Sequence, residues 1–225
     1  MVYLDGLLIR HGETEYTGKL PDLTLTGIQC IREVANRTIL PWVTERGATA
    51  DTIAVQSSPA PRAHGSAIVA LEQIGFSTPI TTVHAIGPMA WRDYVRCVEA
   101  LNGLRGRGYI DYEDEACFAD PTLFETPAEI RARVYRFLSD QVLRAINRSG
   151  ATQPTILFTH YEVMCHLAHD LFGVIATEQT AIRHGEHIEI TISNLFGNAV
   201  SVFGRFRDQE VCGWLDLLDH TLRLA

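Results

Sequence analysis

The chain opens with an apolar run, Val2 to Ile9, that stops abruptly at Arg10-His11-Gly12. A short apolar run with a polar boundary is the pattern of a buried strand. Thr14 to Leu25 follows as loop, punctuated by Gly18 and Pro21. Thr26, with Gln29 three residues on, predicts a capped helix whose buried face is Ile28, Ile31, Val34 and Ala35. Pro41 kinks that helix or starts a new turn. A second strand, Thr52 to Gln56, runs into Ser57-Ser58-Pro59, where Ser58 can cap a helix and Pro59 can open it. Ala67, Ile68, Leu71 and Ile74 line this helix, Gly75 stops it, and Ile80 to Val83 forms a third strand.

Periodicity fades from Ala85 to Glu125, an excursion of mixed structure and a possible lid, with Arg92, Arg96, Arg105, Arg107 and the acidic run Asp111 to Glu115. It returns at Thr126-Pro127-Ala128-Glu129, a capping box ahead of a helix facing inward with Ile130, Val134, Phe137, Leu138, Val142 and Ile146. Gly150 and Pro154 clear the way for a strand, Thr155 to Phe158, that ends in Thr159-His160. The next helix rests on Val163, Leu167, Ala168 and Leu171, and Gly173 ends it. Ile188, Ile190 and Ile192, then Val200 and Val202, alternate with polar residues as an antiparallel edge pair does. Val211, Trp214, Leu215 and Leu218 suggest a closing amphipathic helix. Alternating strands and helices predict one α/β domain over residues 1–225: a three-layer sandwich, its central sheet mostly parallel with an antiparallel edge and helices on both faces.

Composition narrows the function classes. The 225 residues carry a formal net charge of −8, which argues against nucleic acid or an anionic membrane as partner. No apolar run reaches bilayer-spanning length. Five scattered cysteines without a CxxC fit reduced thiols and a cytoplasmic setting. The expected partner is a small phosphorylated substrate, and the edge strand leaves a homodimer possible.

The chemistry concentrates at strand ends. In a parallel sheet these ends share one edge, where ligands bind, so Arg10, His11, Arg62 and His160 can converge although far apart in sequence. Arg62 falls in the first turn of its helix, where unpaired N–H groups favour an anion, and arginine holds phosphate charge at any working pH. A histidine ring nitrogen can attack phosphorus to give a phosphoramidate that water then cleaves. This scheme requires no metal or other cofactor.

Arg10-His11-Gly12-Glu13-Thr14 resembles the signature of the histidine phosphatase superfamily, the phosphoglycerate-mutase-like proteins. Leu25-Thr26-Gly27 with Gln29, Ser57-Ser58-Pro59 with Arg62-Ala63, Phe124-Glu125-Thr126 leading to Arg133-Val134, and Phe158-Thr159-His160 resemble further blocks in the family's order, over most of residues 4 to 172. The resemblance implies that His11 becomes phosphorylated and that Arg10, Arg62 and His160 bind the phosphoryl group. It also implies an acid, supplied after Arg62, that protonates the leaving oxygen.

Three departures bear on function. Thr17 stands where the family often has asparagine, as a hydroxyl donor to substrate. Tyr161-Glu162 follows His160 where glycine is common, so Tyr161 is a candidate substrate contact. The block around the acid is not recognisable: Asp93 is the first choice and Glu99 the second. If neither lies near the cage, leaving groups of low basicity such as acyl or aryl phosphates are expected. His160, His166 and His169 lack the partner spacing of a zinc site, and Glu162 with His166 reads as a surface pair. A second Arg183-His184-Gly185-Glu186 follows no apolar strand and reads as a turn before the edge pair. The leading expectation is a metal-independent phosphatase acting through phospho-His11. The alternatives are a phosphoglycerate-type mutase and a non-catalytic phosphate-binding or regulatory protein.

Overall fold

The computed structural model describes residues 1–15, 21–104, 109–113, 115–148 and 152–225. Its frame is an eight-stranded sheet in the order β3-β2-β4-β1-β5-β6-β7-β8. The strands are β1 (Val2–Arg10), β2 (Ala54–Ser57), β3 (Ile80–Thr82), β4 (Pro154–Thr159), β5 (His187–Phe196), β6 (Ala199–Phe206), β7 (Gln209–Asp216) and β8 (Thr221–Leu224). β3, β2, β4 and β1 run parallel, and from β1 outward every pairing is antiparallel. This is the expected α/β architecture, with the antiparallel edge extended to four strands.

The strand period of two sorts the apolar residues into two cores. Leu7 and Ile9 of β1, Val55 of β2 and Ile156 and Phe158 of β4 face one side. There they meet α1 (Leu25–Val34), α2 (Leu40–Glu45) and α3 (Pro61–Ile74) through Ile31, Trp42, Val43, Ala63, Ala67 and Leu71. Leu4 and Leu8 of β1 and Leu157 of β4 face the other side, against α5 (Pro127–Arg148) and α6 (Tyr161–Phe172) through Ile130, Val134, Leu138, Val163 and Leu167. Alternation in the central strands therefore produces the two helical layers.

Several local expectations shift. Thr24, not Thr26, caps α1 by accepting from Gly27 N–H at 2.9 Å. Between α1 and α2 the chain makes a π-helical turn, Ala35–Ile39, with Leu40 N–H bonded five residues back to Ala35. Pro41 has no N–H and would crowd the carbonyl four residues before it, and the widened turn accommodates it without ending the helix. α3 opens at Pro61 rather than Pro59, and Ser58 is freed for another role. The capping box at Thr126 and Glu129 forms as expected, with Thr126 N–H donating to Glu129 at 2.8 Å and Glu129 N–H to Thr126 Oγ1 at 3.3 Å.

Val211, Trp214 and Leu215 lie on a strand, not on a closing helix. β7 pairs with β6 (Val202 opposite Gly213, Val200 opposite Leu215), burying Gly213 and Leu215 and leaving Trp214 outward. Arg207 turns the chain in the left-handed region (φ 54°), returning it along the open edge of β6, whose ladder groups need partners. The spacing of apolar residues over 211–218 suits either period, and the waiting edge decides between them.

Residues 84–125 include α4 (Tyr94–Leu104) and short 3₁₀ turns at His84–Ile86 and Ala116–Ala119. Arg133 of α5 ties the two ends of this stretch together: it donates to the carbonyls of Ala85 and Gly87 and to the Glu125 carboxylate at 2.6 Å. Phe118 and Phe124 are fully buried. All five cysteines are free thiols. Among the described residues no helix is long and apolar enough to cross a membrane.

Candidate active site

Sheet register assembles the site. Arg10 of β1 pairs with Thr159 of β4, and Ser57 of β2 pairs with Phe158 of β4. The next residues along, His11, His160 and Ser58, therefore leave three adjacent strands at nearly one level. Two further bonds fix them there: His11 N–H to Thr159 O and Ser58 N–H to Phe158 O, each 3.0 Å. The His11 and His160 rings end with centroids 5.0 Å apart.

His11 Nδ1 lies 2.7 Å from Gly12 O, an atom that can only accept, so Nδ1 carries the proton. Nε2 is left with its lone pair, and the Arg62 Nε–H points at it from 3.1 Å. Arg62 reaches this place from the first turn of α3 and is almost fully buried. Ser66, one turn on, accepts from Gly12 N–H at 3.0 Å while donating to Arg62 O at 2.7 Å, so α3 and the loop after β1 are locked together.

Two motif glycines are explained by close backbone approach. A Cβ on Gly12 would stand 2.6 Å from Gly27 O, and one on Gly27 would stand 2.2 Å from Glu13 O. The loop carrying His11 thus lies directly on the N-terminus of α1, and neither position has room for a side chain.

His160 is held from the β2 side. Ser58 Oγ accepts from Ala60 N–H at 3.1 Å and lies 2.7 Å from His160 Nε2. The other ring nitrogen, His160 Nδ1, is buried and has no hydrogen-bond partner. Arg10 has a matching orphan. Its Nη1 donates to Ile182 O and its Nη2 lies 3.0 Å from His184 Nε2, but Nε is buried without a partner. Buried polar atoms are nearly always satisfied, and these two orphans belong to residues that flank His11, one preceding it in the chain and one with its ring 5.0 Å away.

Electrostatics keep the rings neutral. Burial first, then the Arg62 charge, holds both His11 and His160 well below the usual imidazole value. A neutral His11 retains the Nε2 lone pair that nucleophilic attack requires.

The chain matches the profile of the histidine phosphatase superfamily (branch 1) over residues 7–204. It belongs to that superfamily. No curated protein matches it. Solved structures with the same fold include a mycobacterial glucosyl-3-phosphoglycerate phosphatase (15% identity, TM-score 0.57, covering 99% of this chain and 97% of that one). A phosphoglycerate mutase from Bacillus anthracis also shares it (13% identity, TM-score 0.58, 84% and 87% covered). A third is a phosphoserine phosphatase from Entamoeba histolytica in complex with 3-phosphoglyceric acid (18% identity, TM-score 0.51, 84% and 90% covered).

The remaining candidate residues of this histidine phosphatase superfamily member fall in several places. Tyr161 packs its ring against the Arg10 guanidinium at 4.7 Å and donates from its hydroxyl to Ile110 O at 3.0 Å, so it supports Arg10 from the side of residues 109–113. Thr17 lies outside the described residues, as do Arg105 and Arg107. Asp93 sits at the start of α4, its carboxylate accepting from Arg96 N–H at 3.2 Å and its carbonyl from Cys97 N–H, and these contacts do not reach the cage. Glu99 is exposed on α4. Arg92 pairs with Glu129 at 2.7 Å, and Arg96 lies 4.0 Å from Asp120.

The Glu162–His166 surface pair does not form. Glu162 is buried and accepts from Met89 N–H at 2.7 Å, while His166 bonds Glu113 at 2.6 Å. Both side chains face groups brought over by residues 85–113, which the i,i+4 spacing could not show. Burial would raise the Glu113 pKa, but hydrogen bonds from His166 and Arg131 pull it down to about 2. His169 is bonded to Asp170 at 2.9 Å.

Sequence reasoning missed two site residues. Ser58 was expected as a helix cap and instead sets the His160 ring. His184 was expected only within a turn, yet its ring centroid lies 5.7 Å from that of His11. The available signal was register: once β5 is paired antiparallel with β1, Ile9 lies opposite His187, and the turn before β5 must lie beside Arg10 and His11.

Proposed function

We propose that this protein is a metal-independent phosphatase that hydrolyses a phosphomonoester through a phosphohistidine on His11. The observation that supports this most directly is the state of His11: its Nε2 is unprotonated and faces the Arg62 Nε–H, while His160 Nδ1 and Arg10 Nε stand buried without partners. One ring is set to attack and the other to bind phosphoryl oxygens.

In the first step His11 Nε2 attacks phosphorus and the ester P–O bond breaks, the electron pair leaving with the alcohol oxygen. The hydrogen bond from Arg62 Nε–H, which ends on the attacking nitrogen at 3.1 Å, shifts to a phosphoryl oxygen as that lone pair is used, the guanidinium keeping its proton. Gly12 O keeps its bond to Nδ1–H and stabilises the positive charge on the phosphorylated ring. In the second step water attacks phosphorus, the N–P bond breaks, and inorganic phosphate leaves. Two guanidinium groups supply the positive charge that a metal supplies elsewhere.

Asp93 is engaged at the start of α4, and this favours substrates whose leaving oxygen departs without a strong acid, aryl and acyl phosphates among them. Rapid quenching during turnover of p-nitrophenyl phosphate should trap an acid-labile, base-stable phosphoryl label on His11. A His11→Ala enzyme that turns over at the wild-type rate would reject the reading. On the same substrate Asp93→Asn should keep most of the activity, because asparagine serves a helix start as well as aspartate does. A large loss would return Asp93 to the role of acid.

A further inference from the structure

We propose that His184 is a positioning residue for the phosphoryl site: through Nε2 it holds Arg10 so that the Arg10 Nε–H is presented to the bound anion. The inference rests on the phosphohistidine reading above and adds a residue to it.

Arg10 is held on three sides. A guanidinium only donates, so the 3.0 Å contact from Nη2 makes His184 Nε2 an acceptor and puts the His184 proton on Nδ1. Nη1 is taken by Ile182 O, two residues before His184, and the flat face of the guanidinium lies on Tyr161. Three contacts from three directions thus fix the group, and Nε is its one nitrogen without a partner. Take away the His184 acceptor, and one outer nitrogen has nothing to hold it and the plane can rotate about its stem.

The turn bearing His184 is fixed independently of that side chain. Arg10 N–H donates to Glu186 O at 2.9 Å and Gly185 N–H to Arg10 O at 3.0 Å, so the turn continues the β1–β5 ladder. Gly185 is left-handed (φ 76°), and a Cβ there would meet Val34 Cγ2 at 2.7 Å, so the backbone packs tightly on α1. Arg207 clasps Glu186 at 2.9 Å from the other side. The ring can therefore be altered while its backbone stays in place, which makes the role testable apart from folding.

The experiment measures the dissociation constant of inorganic phosphate by calorimetry, together with kcat and KM on p-nitrophenyl phosphate. The proteins are wild type, His184→Ala, His184→Gln, Arg10→Ala, Arg62→Ala and the double variant His184→Ala/Arg10→Ala. His184→Ala should weaken phosphate binding about tenfold, the scale of one hydrogen bond to a charged group. His184→Gln, whose Oε1 can accept in place of Nε2, should recover most of that loss. The double variant should bind no worse than Arg10→Ala, since His184 acts only through Arg10.

Wild-type affinity in both His184 variants, or losses that add in the double variant, would overturn the proposal. If wild type binds phosphate and Arg62→Ala does not, such a result removes His184 alone and leaves the site intact. If wild type itself binds no phosphate, the phosphoryl reading falls and this inference falls with it.

Discussion

Arg62 Nε and His11 Nε2 face each other at 3.1 Å, joining the first turn of α3 to the loop after β1. The contact orients the His11 lone pair outward from Gly12 and places a permanent cation where phosphoryl oxygens would collect charge. Replacing Arg62 with lysine keeps the charge but loses the fork geometry. The expected loss in kcat/KM for p-nitrophenyl phosphate is about 10²- to 10³-fold, the effect of removing one preorganised donor. Steady-state kinetics check this, and a loss of less than threefold would mean that Arg62 only packs.

Ser58→Ala removes the hydroxyl that lies 2.7 Å from His160 Nε2 and fixes the ring. The ring can then exchange its tautomer. The expected cost is about tenfold in kcat/KM, in line with roughly 1 to 1.5 kcal/mol for one neutral hydrogen bond. Ser58→Thr should retain more activity than Ser58→Ala. NMR of the ring nitrogens would show whether the proton on His160 has moved.

Gly27→Ala should destabilise the fold rather than alter chemistry directly. The added methyl group would fall 2.2 Å from Glu13 O, a backbone atom that cannot swing aside. Overpacking of this kind costs about 1 to 3 kcal/mol, and each kcal/mol lowers Tm by about 2 to 4 °C in a protein of this size. Differential scanning calorimetry reads the shift, and an unchanged Tm would show that α1 and the His11 loop separate more easily than their contact implies.

The pH dependence follows from two buried rings. His11 and His160 are held neutral well below 6.5, by burial first and Arg62 second. Below pH 6.5 the unfolded chain takes up protons on these rings and the folded chain does not. Stability is therefore fully present above 6.5 and falls as pH drops towards the lowered folded values. The slope is about 1.4 kcal/mol per pH unit for each ring. Activity should behave differently: the nucleophile stays unprotonated as pH falls through 6.5, where a free imidazole becomes charged. Urea titrations across pH 5 to 8 and a rate profile on the folded enzyme would test both. A rate that halves at pH 6.5 would show that His11 titrates normally. His184, lowered to about 4 by burial and then by Arg10, adds to the same acid loss of stability.

What the sequence alone determined is what depends on near neighbours. Apolar runs ending in Arg10-His11 and Thr159-His160, Arg62 in a first helical turn, the Thr126 capping box and the left-handed stops at Gly75 and Gly173 are set by periodicity and local backbone preference. The parallel sheet then follows from the order of strands and helices, and with it the meeting of His11, His160 and Arg62 at one edge. Tertiary structure decided what depended on a partner far along the chain. Residues 211–216 became strand because β6 offered an unfilled ladder, with Leu218 left in the turn that follows, and the Ser58 hydroxyl went to His160 because α3 began two residues later than its proline suggested. His184 came to Arg10 only through the register of β5 on β1, which no window of sequence contains: hydrogen-bond ladders carry position across 174 residues, while local patterning speaks only for the few residues that share a turn or a face.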